Sequence, residues 1–201
     1  MDQKPPFQGP PTLIVGLCNP GARYQDTRHN AGAWAAKVLA DREGAHFKSE
    51  SKCGGEVAAF TRDEETIRIL KPTTYMNVSG RAVALSSRYF KVAPKRVLII
   101  HDELDLPVGT AKFKFEGGHG GHNGLRDIIH ALGTPAFFRL RIGIGRPRAG
   151  PVEGYVLGKP VGPERAKIDD SIALAIEHID DFLNGDWEGS VRSLHNAMNA
   201  R

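Results

Sequence analysis

TLIVGLCNPGARYQDTRHNAGAWAAKVLADREG, residues 12–44, carries the pattern that decides the fold. TLIVGL (12–17) is a short apolar run rich in β-branched residues. It ends at the turn signal Asn19-Pro20-Gly21, which predicts a buried strand. AGAWAAKVLADREG (31–44) places apolar residues at helical spacing and stops at Gly44, which predicts a helix directly after His29 and Asn30. The result is a β-loop-α unit with polar side chains crowded into its loop.

The same alternation continues on the C-terminal side. EVAAFTR (56–62) and TIRILK (66–71) flank Asp63-Glu64-Glu65 as a hairpin, and Pro72 opens a polar loop running to Asn77. Residues 79–92 return to helical spacing. RVLIIHDE (96–103) is another buried strand, ending on His101 and Asp102. TAKFKF (110–115) and FRLRIGIG (138–145) predict two more strands, separated by the glycine-rich GGHGGHNG (117–124) and a helix from about Leu125 to Leu132. Residues 163–185 form the longest amphipathic segment and predict one helix, with a shorter one over 187–199. The expectation is a single α/β domain over residues 12–201, a twisted mixed, largely parallel sheet between helical layers. Four prolines and one glycine in the first twelve residues predict a flexible leader over residues 1–11.

Composition narrows the class. With 201 residues, 40% hydrophobic and 25% charged, the chain has the usage of a globular domain rather than a disordered or fibrous one. Its net charge of +4 is compatible with a polyanionic partner without demonstrating one. Two cysteines, Cys18 and Cys53, are too few for a disulfide framework and are expected as free thiols, which fits the cytoplasm. No run has the length of a signal peptide core or a membrane span.

Ligands of open α/β sheets bind where loops leave the carboxyl ends of strands. The polar residues Asn19, Asn77 and Asp102 fall at such ends. The GGHGGHNG loop admits a phosphate-cradle reading and a metal reading through His119 and His122. It lacks a nucleotide-binding glycine motif, and two histidines without a third ligand make a poor metal site. Lys112 and Lys114 share one strand face, as do Arg139 and Arg141, so a basic patch and ordinary solvated faces both fit.

Three segments, GLCNPGARYQDTRHNAG (16–32), KPTTYMNVSGRA (71–82) and HDELDLPVGTAKFKFEGGHGGHNGLRDI (101–128), together closely resemble the bacterial-type peptidyl-tRNA hydrolase family. FRLRIGIGRP (138–147) and YVLGK (155–159) extend the likeness over most of the chain. The resemblance implies ester hydrolysis of peptidyl-tRNA with His29 as catalytic base and Asp102 as its orienter. It implies that Asn19, Asn77 and Asn123 hold the terminal nucleotide, the peptide backbone and the attacking water, and that Tyr24, Met76 and His122 line the site. Lys114 and Arg141 match the positions that clamp the tRNA 5′ phosphate. No cofactor, no metal and a monomer are implied. Turn formation is the competing role for the asparagines, and core packing for Met76. Cys18 stands where the family usually has a smaller residue, which raises the question of thiol reactivity. Two other functions compete: a non-catalytic RNA-binding protein of the same fold, and a metal-dependent hydrolase using His119 and His122.

Overall fold

Residues 9–200 are described by the computed structural model of the chain. Along it run β1 (Leu13–Gly16), α1 (Ala31–Arg42), β2 (Lys48–Glu50), β3 (Gly55–Arg62), β4 (Glu65–Pro72), α2 (Ser79–Tyr89) and β5 (Val97–Glu103). There follow β6 (Ala111–Phe115), α3 (Asn123–Leu132), β7 (Phe138–Gly143), α4 (Val152–Val156), α5 (Gly162–Glu177), α6 (Asp180–Leu183) and α7 (Trp187–Asn199).

These strands form one sheet in the order β2-β3-β4-β1-β5-β7-β6. β4, β1, β5 and β7 are parallel neighbours, and antiparallel pairings, β2 with β3, β3 with β4 and β7 with β6, extend the sheet to both edges. Side chains of β1 are buried at every position, as expected of a strand covered on both faces. Its period of two divides them between layers. Ile14 packs in a core with α1 and α5, whereas Leu13 and Val15 pack in one with α2 and α3.

The hairpin closes more tightly than the polar tripeptide suggests. Arg62 pairs with Glu65, so only Asp63 and Glu64 turn, both at positive φ. That backbone follows the right-handed strand twist. The helix expected over 163–185 is broken after Glu177. Tertiary donors take the carbonyls that would extend it: Arg42 bonds the Ile176 carbonyl, and the Ser190 hydroxyl bonds that of His178. β2 escapes sequence reading because its three residues, Lys-Ser-Glu, have no apolar alternation. α4 escapes it because five residues are too few for helical periodicity.

Of the expected leader, residues 1–8 lie outside the described residues. Pro11 is buried, and the Pro10 carbonyl accepts from Arg96 Nε at 2.9 Å, so the chain is packed before β1 begins.

α1 approaches the sheet at backbone distance through Gly32. A Cβ there would lie 2.2 Å from the Ile100 carbonyl oxygen and 2.6 Å from the Leu17 nitrogen. Those two atoms are themselves hydrogen-bonded at 3.0 Å, joining the end of β1 to β5. Gly32→Ala is therefore expected to cost about 2–3 kcal/mol in a urea titration. Gly162→Ala, where a Cβ meets nothing within 4 Å, should remain within about 0.5 kcal/mol of wild type.

Candidate active site

The adjacent parallel strands β4, β1 and β5 deliver their loops to one edge of the sheet. Asp102, on β5, is 3% exposed. His29 lies in the 3-10 turn Arg28–Asn30 that leads into α1, and His122 is the N-cap residue of α3. One oxygen of Asp102, Oδ1, receives both imidazoles, His29 through Nδ1 at 2.9 Å and His122 through Nε2 at 3.0 Å.

The tautomers follow from the remaining bonds. His122 Nδ1 accepts the Leu125 backbone N–H at 3.2 Å, so its Nε2 carries the proton given to Asp102. His29 gives its Nδ1 proton to the same carboxylate, leaving Nε2 with a lone pair. Burial disfavours the imidazolium of His29, but the charge of Asp102 and the hydrogen bond to it outweigh burial and raise its pKa above the ordinary value. Burial also penalises the Asp102 carboxylate. The two imidazoles, by charge and hydrogen bonding, nevertheless hold its carboxyl well below the usual carboxylate range.

His101 behaves differently. Its Nδ1–H donates to the Asp102 backbone carbonyl at 2.7 Å, and its ring meets His122 edge-on with centroids 5.1 Å apart. Burial and the neighbouring His122 push its pKa well down, so it is neutral. Its Nε2 is buried and has no hydrogen-bond partner among the described residues.

Asn19 is held by an amide that sequence reading did not single out. Asn30 Oδ1 accepts the Asn19 backbone N–H at 2.8 Å, and Asn30 Nδ2 donates to the Asn19 carbonyl at 3.0 Å. Asn19 Oδ1 then accepts the Met76 N–H at 2.8 Å, tying the loop after β1 to the loop after β4. That bond orients the amide and leaves its NH2 group free of a protein partner among the described residues. Met76 is both core and wall: it is 3% exposed and packs with the α2–α3 layer, yet it borders the cavity.

That cavity has a volume of about 630 Å³ and brings together Asn19, Tyr24, His29, Met76, Asn77, Asp102, His122 and Asn123. Tyr75 joins them, set edge-on to Tyr24 with centroids 6.3 Å apart. Leu104 lines it too, as do Val152, Val156 and Leu157 from α4 and its end. Lys114 and Arg141 are not among the lining residues; they sit on β6 and β7. The register pairs Lys112 with Arg141 and Lys114 with Arg139, so the basic residues form one cross-strand patch. Arg141 is bonded to Glu103 at 2.9 Å, and Glu103 does line the cavity. Arg139 is 3% exposed and donates to the carbonyls of Gly117 and Gly118, fixing the start of the glycine-rich loop. Burial and the adjacent Arg141 bring its pKa down to about 10, which still leaves it charged at neutral pH. Alternating arginines were the only hint of this anchor.

The family model described as "Peptidyl-tRNA hydrolase" matches residues 13–201. The chain belongs to the peptidyl-tRNA hydrolase family. It is 48% identical over 184 residues to the peptidyl-tRNA hydrolase of Neisseria gonorrhoeae strain FA 1090, covering 91% of this chain and 96% of that protein. To the peptidyl-tRNA hydrolase of Erwinia tasmaniensis it is 50% identical over 185 residues, covering 91% and 95%. The crystal structure of peptidyl-tRNA hydrolase from Acinetobacter baumannii superposes with a TM-score of 0.88 at 42% identity, over 92% of this chain and 94% of that one. Like the family's members, this chain is an enzyme, a hydrolase. No helix among the described residues is long and apolar enough to cross a membrane.

Two particulars of this family member concern its side chains. His29, Asp102 and His122 cluster with ligand atoms within 4.8 Å of one another, a spacing that a metal ion could use. Both nitrogens of His122 are already engaged, so a cation would have to displace the bond from Leu125 or that to Asp102. His119 Nδ1 accepts from the Gly121 N–H at 3.1 Å. Cys18, just before the Asn19-Pro20-Gly21 turn, is buried and donates its thiol to the Pro72 carbonyl at 3.4 Å. Burial raises its pKa from 9.0 to about 11. At pH 8 Cys18 should therefore react with iodoacetamide about 100-fold more slowly than an unperturbed thiol, as followed by mass spectrometry of the folded protein.

Proposed function

We propose that the chain hydrolyses the ester joining a peptide to the 3′ end of its tRNA, releasing free peptide and reusable tRNA. The observation that carries this reading is the Nδ1 bond of His29 to a buried carboxylate inside an asparagine-lined cavity. His29 Nε2 takes a proton from water as the water attacks the ester carbonyl. Asp102 stabilises the imidazolium that forms, and the proton passes on to the departing ribose oxygen. His122 holds Asp102 from its second side. Asn19 and Asn123, whose amide oxygens already accept from Met76 and Arg126, offer their NH2 groups to substrate carbonyls or ribose oxygens. Asn77, Tyr24 and Met76 complete the wall that takes the acceptor end. In this reading the reaction needs no metal or cofactor, and a cytoplasmic monomer suffices.

Lys114 and Arg141 serve as the contact for the tRNA 5′ phosphate. The register sets both on one face of β6 and β7 together with Lys112, and this shared cationic face supports the role. The two are not equivalent: Arg141 also neutralises Glu103, so its loss frees a carboxylate at the cavity edge.

His29→Ala should lower turnover of N-acetylaminoacyl-tRNA by at least about 100-fold while tRNA affinity persists. Near-normal turnover would remove His29 from the mechanism. The base must be neutral, so kcat/KM should fall as pH drops through a pKa above the ordinary value of about 6.5. In Asp102→Asn the raising charge is gone and burial remains, so that acidic limb should move to lower pH at reduced kcat. A limb that stays in place would show that Asp102 does not set the base.

Lys114→Ala is the cleaner probe of the phosphate contact. It should raise KM for 5′-phosphorylated substrate with kcat little changed, and reduce the slope of log affinity against log salt by about 0.7–0.9. Equal handling of phosphorylated and dephosphorylated tRNA by wild type would count against the contact.

A further inference from the structure

Arg28 precedes His29 in sequence and takes no part in the chemistry above, yet it is buried. Its Nε and Nη2 donate to the two carboxylate oxygens of Glu164, on α5, at 2.6 and 2.7 Å. Nη1 donates to the Tyr155 carbonyl at 3.2 Å, and the guanidinium carbon lies 4.2 Å from the centre of the Tyr155 ring. The Arg28 backbone N–H donates to the Gly158 carbonyl at 3.1 Å. Tyr155 in turn gives its hydroxyl proton to the Ile144 carbonyl, just beyond β7, at 2.5 Å. One side chain thus joins the turn that carries His29 to α4, α5 and the end of β7.

A bidentate guanidinium–carboxylate pair permits essentially one geometry. Here the side chains are only 9% and 17% exposed, so salt screens the pair weakly. What it holds is the α4 wall. That wall offers Val152, Val156 and Leu157 to the cavity, which Leu104, Glu103 and Glu153 also line. An apolar surface of this kind suits peptide side chains better than phosphodiesters.

We propose that Arg28 is a positioning residue which, through Glu164 and Tyr155, locks the peptide-side wall to the turn bearing His29. The junction sets where the ester lies relative to the base once the peptide rests on α4. This rests on the reading of His29 as base and of the cavity as the peptide site. On this proposal a longer peptide lies along α4 and touches more of it than a single blocked residue does.

The test compares wild type, Arg28→Lys and Glu164→Gln on N-acetylaminoacyl-tRNA and on the same tRNA bearing a five-residue peptide. The fall in kcat/KM should be larger on the longer peptide by about fivefold or more. The double variant should be no worse than the more impaired single one, because both break the same junction. Salt dependence of binding should match wild type, since no phosphate contact is lost. Glu164→Gln keeps the side-chain volume and decides the question alone if Arg28→Lys does not fold. An equal fall on both substrates, or none on either, overturns the junction. His29→Ala assayed in parallel separates the two failures: turnover there overturns the base, while equal ratios beside an inactive His29→Ala overturn only the role of Arg28.

Discussion

Asp102 Oδ1 accepts from two imidazoles at once, in a place where an unpaired carboxylate would cost several kcal/mol. Every element around the site bears on that sharing. β5 delivers the carboxylate, the turn before α1 delivers His29, and the N-terminus of α3 delivers His122. The rings are not interchangeable. His122 is committed by the Leu125 N–H on its far nitrogen, so its proton stays with Asp102. His29 keeps the lone pair of its Nε2, and the ring borders the cavity.

This geometry needs the helices close to the sheet. Gly32 lets α1 touch the junction of β1 and β5, which places the preceding turn, and with it His29, over the end of β5. Asn30, in the same turn, pairs with the backbone of Asn19, and Asn19 reaches on to Met76. A short chain of amides therefore fixes the loops that leave the parallel strands β1 and β4 against one another. Such loops are pre-organised, so little reorganisation is needed when a substrate arrives.

Charge is sorted around the cavity. Lys112, Lys114, Arg139 and Arg141 gather on β6 and β7, whereas Glu103 and Glu153 stand toward the apolar wall. Glu103 joins the two regions by pairing with Arg141. Arg139 is buried without a carboxylate partner among the described residues, and it spends its protons on the carbonyls of the glycine-rich loop. Cationic and apolar surfaces are thus carried by different elements, β6 and β7 for the first and α4 for the second.

Local patterning alone determined a good deal here. The runs at 12–17 and 96–103 are strands because largely continuous β-branched and apolar stretches suit a sheet covered on both faces, and those at 66–71 and 138–145 because apolar residues alternate with charged ones. The helices over 31–44 and 79–92 follow from apolar spacing, and the segments around Asn19, His29, Asn77, Asp102 and Asn123 pointed to the family. What sequence could not show depends on atoms brought together across long separations. The break after Glu177 comes from Arg42 and Ser190 capturing carbonyls, not from any helix-breaking residue. Asn30 as the partner of Asn19, Arg139 as the anchor of the glycine loop, and the bonding of His122 to both Asp102 and Leu125 carry no periodic signal. Nor does the Arg28–Glu164 pair, whose members stand 136 residues apart. Periodicity records which face of an element is apolar; only tertiary packing decides which polar groups, once dehydrated, must find one another.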